Sequence, residues 1–349
     1  MRVAAGASTS WREEWPEKAL INFARIVGLP EREGMAGCWR RAVLRCLVGF
    51  LGFAALHPSA FCQAEAQKAA EIAAQLTERG DLEGARNVLD QALKQYPRSA
   101  ALYKVAAALE LKAGRFDGMR AELLRALECD PRDAETYLNL ALLELGQRQY
   151  SHAIPPLQDY IRLKPQDARG YLLLGRAYLN RNFTLRALPE FRKALALDPH
   201  LPMAHHDLGF AQITLGRNQE ALAEFRKEIE INPTFAGSYL RAGTIELERD
   251  RMAEAEELLR QAIARDAGGA NAHFELAQCY LREHKPDAAE LEYRQAIARD
   301  EKLIRAHYGL GRALLALGRK EEAGREFQLY TELLARRRNS QNGISAAAE

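Results

Sequence analysis

The chain has few of the residues that would build a disulfide framework or a redox centre. Five cysteines occur in 349 residues, and three of them precede residue 65, leaving Cys129 and Cys279 too far apart along a repeating chain to pair. All three tryptophans, Trp11, Trp15 and Trp39, fall in the same leading segment. An excess of one charge is also missing. Lys and Arg number 49 against 47 Asp and Glu, and the first 64 residues hold 8 of the basic and 5 of the acidic ones, so the remainder is close to neutral. That excludes the electrostatic footprint of a nucleic-acid binder, and Arg336-Arg337-Arg338 reads as a charge cluster favoured at a helix C-terminus. No apolar run reaches the length of roughly 20 residues that a membrane-spanning helix needs. The sequence also lacks a nucleophile elbow, a P-loop and an HExxH pair. The best metal candidate, His205-His206-Asp207, fails on geometry. Adjacent residues on a helix point about 100° apart, and the residue one turn beyond His206 is Phe210. Acidic residues such as Glu254, Glu256 and Glu257 alternate with basic ones as on a solvated helix face. No catalytic residue, no cofactor and no metal site is assigned.

What is present is a period. Tyr96-Pro97, Asp130-Pro131, Lys164-Pro165, Asp198-Pro199 and Asn232-Pro233 lie 34 residues apart, and the text Ala262 to Asp266 recurs at Ala296 to Asp300 at the same interval. Eight units tile residues 66–337: 66–99, 100–133, 134–167, 168–201, 202–235, 236–269, 270–303 and 304–337. A fixed period of this length means stacked supersecondary units, each unable to bury its apolar face alone. Numbered within a unit, position 8 is only glycine or alanine, from Ala73 and Ala107 through Gly209, Gly243 and Gly311. Position 20 is alanine except at Met119, and position 24 is always large and apolar, as in Leu89, Phe191, Phe225, Tyr293 and Phe327. This pattern predicts two helices per unit, with the position 24 knob filling the space left by the small residues. Gly80, Gly114, Gly216 and Gly318 at position 15 predict a left-handed turn between them. Pro155-Pro156 predict a late or distorted second helix in the third unit, because prolines remove backbone donors.

With an aromatic at position 4, Leu-Gly at 7 and 8, tyrosine at 11, alanine at 20 and 27, an aromatic at 24 and proline at 32, the fourth unit (Tyr171, Leu174-Gly175, Tyr178, Ala187, Phe191, Ala194, Pro199) resembles the tetratricopeptide repeat family throughout. The resemblance extends over all eight units and implies an all-α, right-handed superhelical solenoid that binds proteins. Departures at position 27 are Tyr160, Glu228 and Tyr330. His205 sits at position 4 with Tyr103, Tyr137, Tyr171, Tyr239, His273 and His307, and is read as a core ring.

Ahead of the repeats the text changes. A basic stretch, Trp39 to Arg45, precedes the apolar run Cys46 to Leu56 and then His57 to Ala64, the order of a secretory signal. Residues 35–64 are read as that signal, residues 1–34 as an overlong gene start or short extension, and 65–338 as the solenoid. Residues 339–349 are read as a disordered tail. Cleavage after Ala64 is the first reading; a lipidated Cys62 and an uncleaved anchor are the alternatives. The expected location is therefore exported, periplasmic or secreted, with membrane contact only if the leader is retained or Cys62 is lipidated.

The resemblance further implies a concave surface lined by the first helix of each unit. Carried onto this chain it gives a partner-binding groove of Leu138, Leu142, Leu172, Arg176, Phe210, Leu240, Phe274, Gln278, Tyr308 and Arg312, suited to a peptide with apolar anchors and a carboxylate. The family's carboxylate clamp is incomplete: Lys104 and Asn139 are in place, but Ala108 and Leu172-Leu173 are not. The functional expectation is a non-catalytic adaptor or scaffold for envelope or secreted proteins, with a protein or peptide ligand and no nucleic acid. A second reading is an accessory subunit of a membrane-bound export, pilus or outer-membrane assembly; a third is an enzyme using the groove as its active site.

Overall fold

The computed structural model describes residues 58–266 and 269–346, with side chains described for 63–266 and 269–339. The readings on residues 1–57 and on the side chain of Cys62 lie outside the described residues. Sixteen α-helices and no strand occur among the described residues. Two compact units divide the chain at Glu190 and Phe191.

The first unit holds α1 (Pro58–Arg79), α2 (Leu82–Gln95), α3 (Ala100–Lys112), α4 (Phe116–Cys129), α5 (Ala134–Gly146), α6 (Tyr150–Leu163) and α7 (Ala168–Asn180). The division falls inside α8 (Thr184–Leu197). The second unit continues with α9 (Ala204–Thr214), α10 (Asn218–Ile231), α11 (Ala236–Glu248), α12 (Met252–Arg265), α13 (Ala270–Arg282), α14 (Pro286–Arg299), α15 (Ile304–Ala316) and α16 (Lys320–Ala346). Within each unit helices pack in consecutive pairs, α1 on α2 and α3 on α4 in the first, α9 on α10 and α11 on α12 in the second. Second helices also pack on the first helix of the next pair, α2 on α3, α4 on α5 and α6 on α7 in the first unit and α10 on α11, α12 on α13 and α14 on α15 in the second.

The pairing follows from residue size. A Cβ added to Gly209 would lie 3.0 Å from the Phe225 ring, and one on Gly311 would lie 2.6 Å from Phe327. Position 8 therefore meets position 24 of the same pair, as the small-to-large pattern requires. Ala85, Ala153, Ala221, Ala255, Ala289 and Ala323 at position 20 are all fully buried.

The turns generalise beyond glycine. Gly80, Gly114, Gly216 and Gly318 have positive φ, and so do Arg148, Asn182, Asp250 and His284 at the same repeat position, with φ of 57° to 61°. The turn thus imposes the left-handed backbone even where the residue carries a Cβ.

Three details depart from the sequence reading. α6 begins at Tyr150, in register with the other second helices, and contains Pro155 and Pro156. The carbonyls their missing N–H groups would have engaged belong to Ser151 and His152, both exposed, so water can satisfy them. α16 continues to Ala346, into the segment read as a tail, and α1 begins at Pro58, ahead of Ala64.

Candidate functional site

In the first unit, the positions assigned to a groove are occupied by packing. Leu138 is 2% exposed and Leu172 is 6% exposed, while Leu142 packs against the cluster formed by Leu138, Ala141 and Leu157. Leu138 and Leu172 are therefore core residues, because each first helix is flanked by helices on both sides, and neither offers a surface to a ligand. Arg176 is half-buried on the same helix face as Leu172. Lys104 is engaged by Asp133, Nζ to Oδ2 2.8 Å.

In the second unit the first-helix face is more open and has a different chemistry. Phe274 is a correction to the sequence reading: it is 6% exposed, its ring lies 5.8 Å from that of Tyr293, and the Arg305 guanidinium covers it at 4.2 Å. Leu240 packs against the core of this unit. Phe210 is half-buried, with Arg241 above its ring at 5.4 Å. Gln278 donates to Glu275 at 3.2 Å. Tyr308 remains 47% exposed, supported by the rings of Phe327 and Tyr330 at 5.6 and 5.3 Å, and Arg312 is exposed one turn further along α15. The face carries guanidinium groups laid over aromatic rings, an arrangement that holds a flexible cation in place.

Two residues of this face escaped the sequence reading. Arg241 and Glu275 occupy position 6 of adjacent units, and Arg305 approaches Glu275 at 3.9 Å. Burial holds the Arg241 guanidinium below its ordinary value, with Glu275 opposing and Arg305 adding to the shift. Burial likewise raises the Glu275 carboxyl, against the pull of Arg305 and Arg241. The signal that could have found them is alternating charge at position 6 of consecutive units, Asp207, Arg241 and Glu275. Arg241, Arg305 and Arg312 share this face with Glu275 and, at position 6 of the preceding repeat, with the buried Asp207.

The histidines belong to packing. His205 Nδ1 lies 2.5 Å from Glu224 and its Nε2 3.3 Å from the Pro199 carbonyl. His273 and His307 repeat the first contact, with Glu292 at 2.6 Å and Glu326 at 2.8 Å. His206 points elsewhere, to Ser238 Oγ at 2.9 Å and edge-on to Phe235. No group of three metal-ligating side chains occurs among the described residues. Cys279 is buried, which pushes its thiol up to about 11, and Cys129 is partly buried.

Position 27 has a role that its departures foretell. Tyr160 is fully buried and its hydroxyl donates to Asp167 at 2.5 Å, at the N-cap of α7. A Cβ on Gly170 would lie 2.8 Å from the Tyr160 ring, so the missing side chain there makes room for the extra one. Glu228, also fully buried, accepts a hydrogen bond of 2.8 Å from the Met203 backbone N–H at the start of α9.

Comparison with known proteins agrees with this architecture. One model described as a tetratricopeptide repeat matches residues 76–143. A second with the same description matches 138–202, 172–234, 240–304 and 280–340. No curated protein matches the sequence. A crystal structure of the APC/C hetero-tetramer Cut9–Hcn1 is 20% identical over 69% of this chain and 48% of that one, with a TM-score of 0.55. A tetratricopeptide repeat protein from Parabacteroides merdae is 17% identical over 67% of this chain and 93% of its own, with a TM-score of 0.54. PilW, a widely conserved type IV pilus biogenesis factor, is 21% identical over 58% and 92%, with a TM-score of 0.51. At these identities the likeness is one of fold.

Proposed function

This chain belongs to the tetratricopeptide repeat family, and from that premise we propose that it is a non-catalytic adaptor that binds a segment of a protein partner along the first-helix face of its second unit. Eight repeats from 66 to 337 make up the array in this reading. The observation that carries it is the exposed pair Tyr308 and Arg312 on α15, with the rings of Phe327 and Tyr330 behind Tyr308. Apolar surface beside an available guanidinium suits an extended or helical segment with an aromatic or aliphatic anchor and a carboxylate. Export is part of the same proposal: a basic stretch followed by an eleven-residue apolar run supports it. N-terminal sequencing of protein from the native host, beginning near Glu65, is the result that export with cleavage requires.

The test is affinity capture of partners by the full chain, identified by mass spectrometry. Tyr308→Ala with Arg312→Ala should weaken capture of the recovered partner by roughly tenfold or more while the melting temperature holds. Lys227, exposed on the second helix α10, is the control. Capture that depends on Lys227 and not on Tyr308 and Arg312 would place the partner elsewhere. Phe274, being core, is unsuitable for this test: its truncation should unfold before it informs.

A further inference from the structure

The turn joining α7 to α8 departs from what the rest of the array requires. At position 16 the first unit's other turns carry Asp81, Arg115 and Gln149, and the remaining four repeats carry arginine or lysine there. At position 18 they carry Glu83, Asp117 and Ser151. The fourth repeat alone places Phe183 and Leu185 at these two positions, with the polar Thr184 between them where the other turns of the first unit have Leu82, Phe116 and Tyr150. The apolar pattern of that unit's turns is thus inverted. The consequence is exposure: Phe183 is 39% exposed and Leu185, at 72%, is the most exposed large hydrophobic among the described residues. The sister turns fold without a large apolar side chain at either position, Ala253 being the one apolar residue among them, so folding does not require Phe183 and Leu185 here.

The charge around them is equally one-sided. No acidic residue occurs from Ala168 to Pro189, a stretch containing four arginines. Arg181 and Arg186 flank the apolar pair and lie over the Phe183 ring at 4.7 and 5.5 Å. Neither has an ion-pair partner among the described residues. The left-handed Asn182, φ 61°, forms the bend of this turn.

We propose that the Arg181–Arg186 turn docks the first unit onto an anionic lipid bilayer surface, with Phe183 and Leu185 entering the interface and Arg181 and Arg186 meeting the phosphates. Two side chains are too small a patch for a specific protein interface, which takes on the order of 1,000 Å². A bilayer surface demands no shape complementarity, accepts single apolar side chains at headgroup depth, and attracts arginine through its negative potential. This surface lies outside the face assigned to the protein partner and stands independently of that assignment.

Segment-resolved amide exchange of the full chain tests it, because only the turn itself is read, whatever the leader does. With vesicles of phosphatidylcholine containing phosphatidylglycerol, amides of 181–186 should exchange at least about threefold more slowly, and high salt should reverse the effect. Pure phosphatidylcholine vesicles should leave them unchanged. Phe183→Gln with Leu185→Ser installs the residues of the preceding turn, Gln149 and Ser151, and should abolish the slowing with the melting temperature intact. Arg181→Gln with Arg186→His, copying Gln147 and His152, should remove its salt dependence. Unchanged exchange in the wild-type turn, equal slowing by pure phosphatidylcholine, or full slowing in the Phe183→Gln, Leu185→Ser variant each overturns the proposal; the first of these would leave the patch to a protein partner.

Discussion

In the first unit the first helices begin on a side-chain cap: Ser99, Asp133 and Asp167 accept from the backbone N–H groups of Leu102, Glu135 and Arg169. In the second unit α9, α11, α13 and α15 begin at Met203, Phe235, Gly269 and Leu303 without one. The same contrast appears at position 4. Tyr103 and Tyr171 donate to the carbonyls of Pro97 and Pro165, at 3.0 and 3.2 Å. His205, His273 and His307 instead face a glutamate of their own repeat. Tyr239 is the second unit's exception, and it has Leu258 in place of that glutamate. Both units share one device, a buried acid at position 11 that gathers arginines: Glu144 with Arg120, and Glu246 with Arg226. One backbone architecture therefore tolerates two polar chemistries, each of these side chains meeting at least one partner in the same or the neighbouring repeat, while His273 Nε2 and Glu246 Oε2 are buried without a hydrogen bond.

Position 27 breaks this comparison most forcefully. Tyr160→Ala, though it restores the family's usual alanine, should destabilise the first unit by about 3–5 kcal/mol, since it empties a fully buried site shaped by Gly170. Glu228→Ala, equally a return to the usual residue, should cost the second unit about 1–3 kcal/mol by leaving the Met203 N–H unpaired. Chemical denaturation of each variant reads both; a neutral result at either would mean that neighbouring residues close over the site.

The pH dependence sharpens the contrast at position 23. Glu190 in the first unit is raised by burial. At Glu224 in the second, burial also raises, but hydrogen bonds from His205 and Lys227 outweigh it and hold the carboxyl below its ordinary value. A depressed acid contributes stability above its unfolded pKa and loses it as pH falls through the folded value, so the Glu224 contribution disappears below the ordinary carboxylate range near about 4. Glu190 has the opposite sign: its contribution is present in acid and lost as pH rises through its raised value. His205→Tyr, which gives the second unit the first unit's ring, should move Glu224 upward in a carboxyl-carbon NMR titration. An unmoved Glu224 would show that Lys227 alone holds it.

The smallest expected effect is a gain. Arg148 is exposed and holds φ 59° where four sister turns use glycine, so Arg148→Gly should raise stability by up to about 1 kcal/mol. No change in the melting temperature would show that the turn pays little for its Cβ.

Much of this was legible in the sequence because repetition supplies its own controls. Aligned repeats expose the small position 8, the large position 24 and the turn at 15, and the packing of Gly209 on Phe225 and Gly311 on Phe327 agrees with them. Position 4 was readable as a ring, but its partner was not, since His205 and Glu224 are 19 residues apart and meet only across the helix pair. The groove was the weakest reading. Position labels carried from the family do not say whether a neighbouring arginine covers a ring, so Phe274 reads as an anchor in the sequence although Arg305 lies over it. Arg241 and Glu275 lie at position 6, between the positions 5 and 9 that the family pattern assigns to the groove, so that pattern does not point to them.

The most direct measurement replaces Tyr308 with a photo-crosslinking residue in the full chain within its native host, and Lys227 with the same residue as control. The account predicts that a single protein partner crosslinks from position 308 and not from 227, and that Arg312→Ala reduces its yield. Crosslinking from 227 alone would contradict the assignment of the first-helix face as the partner-binding surface.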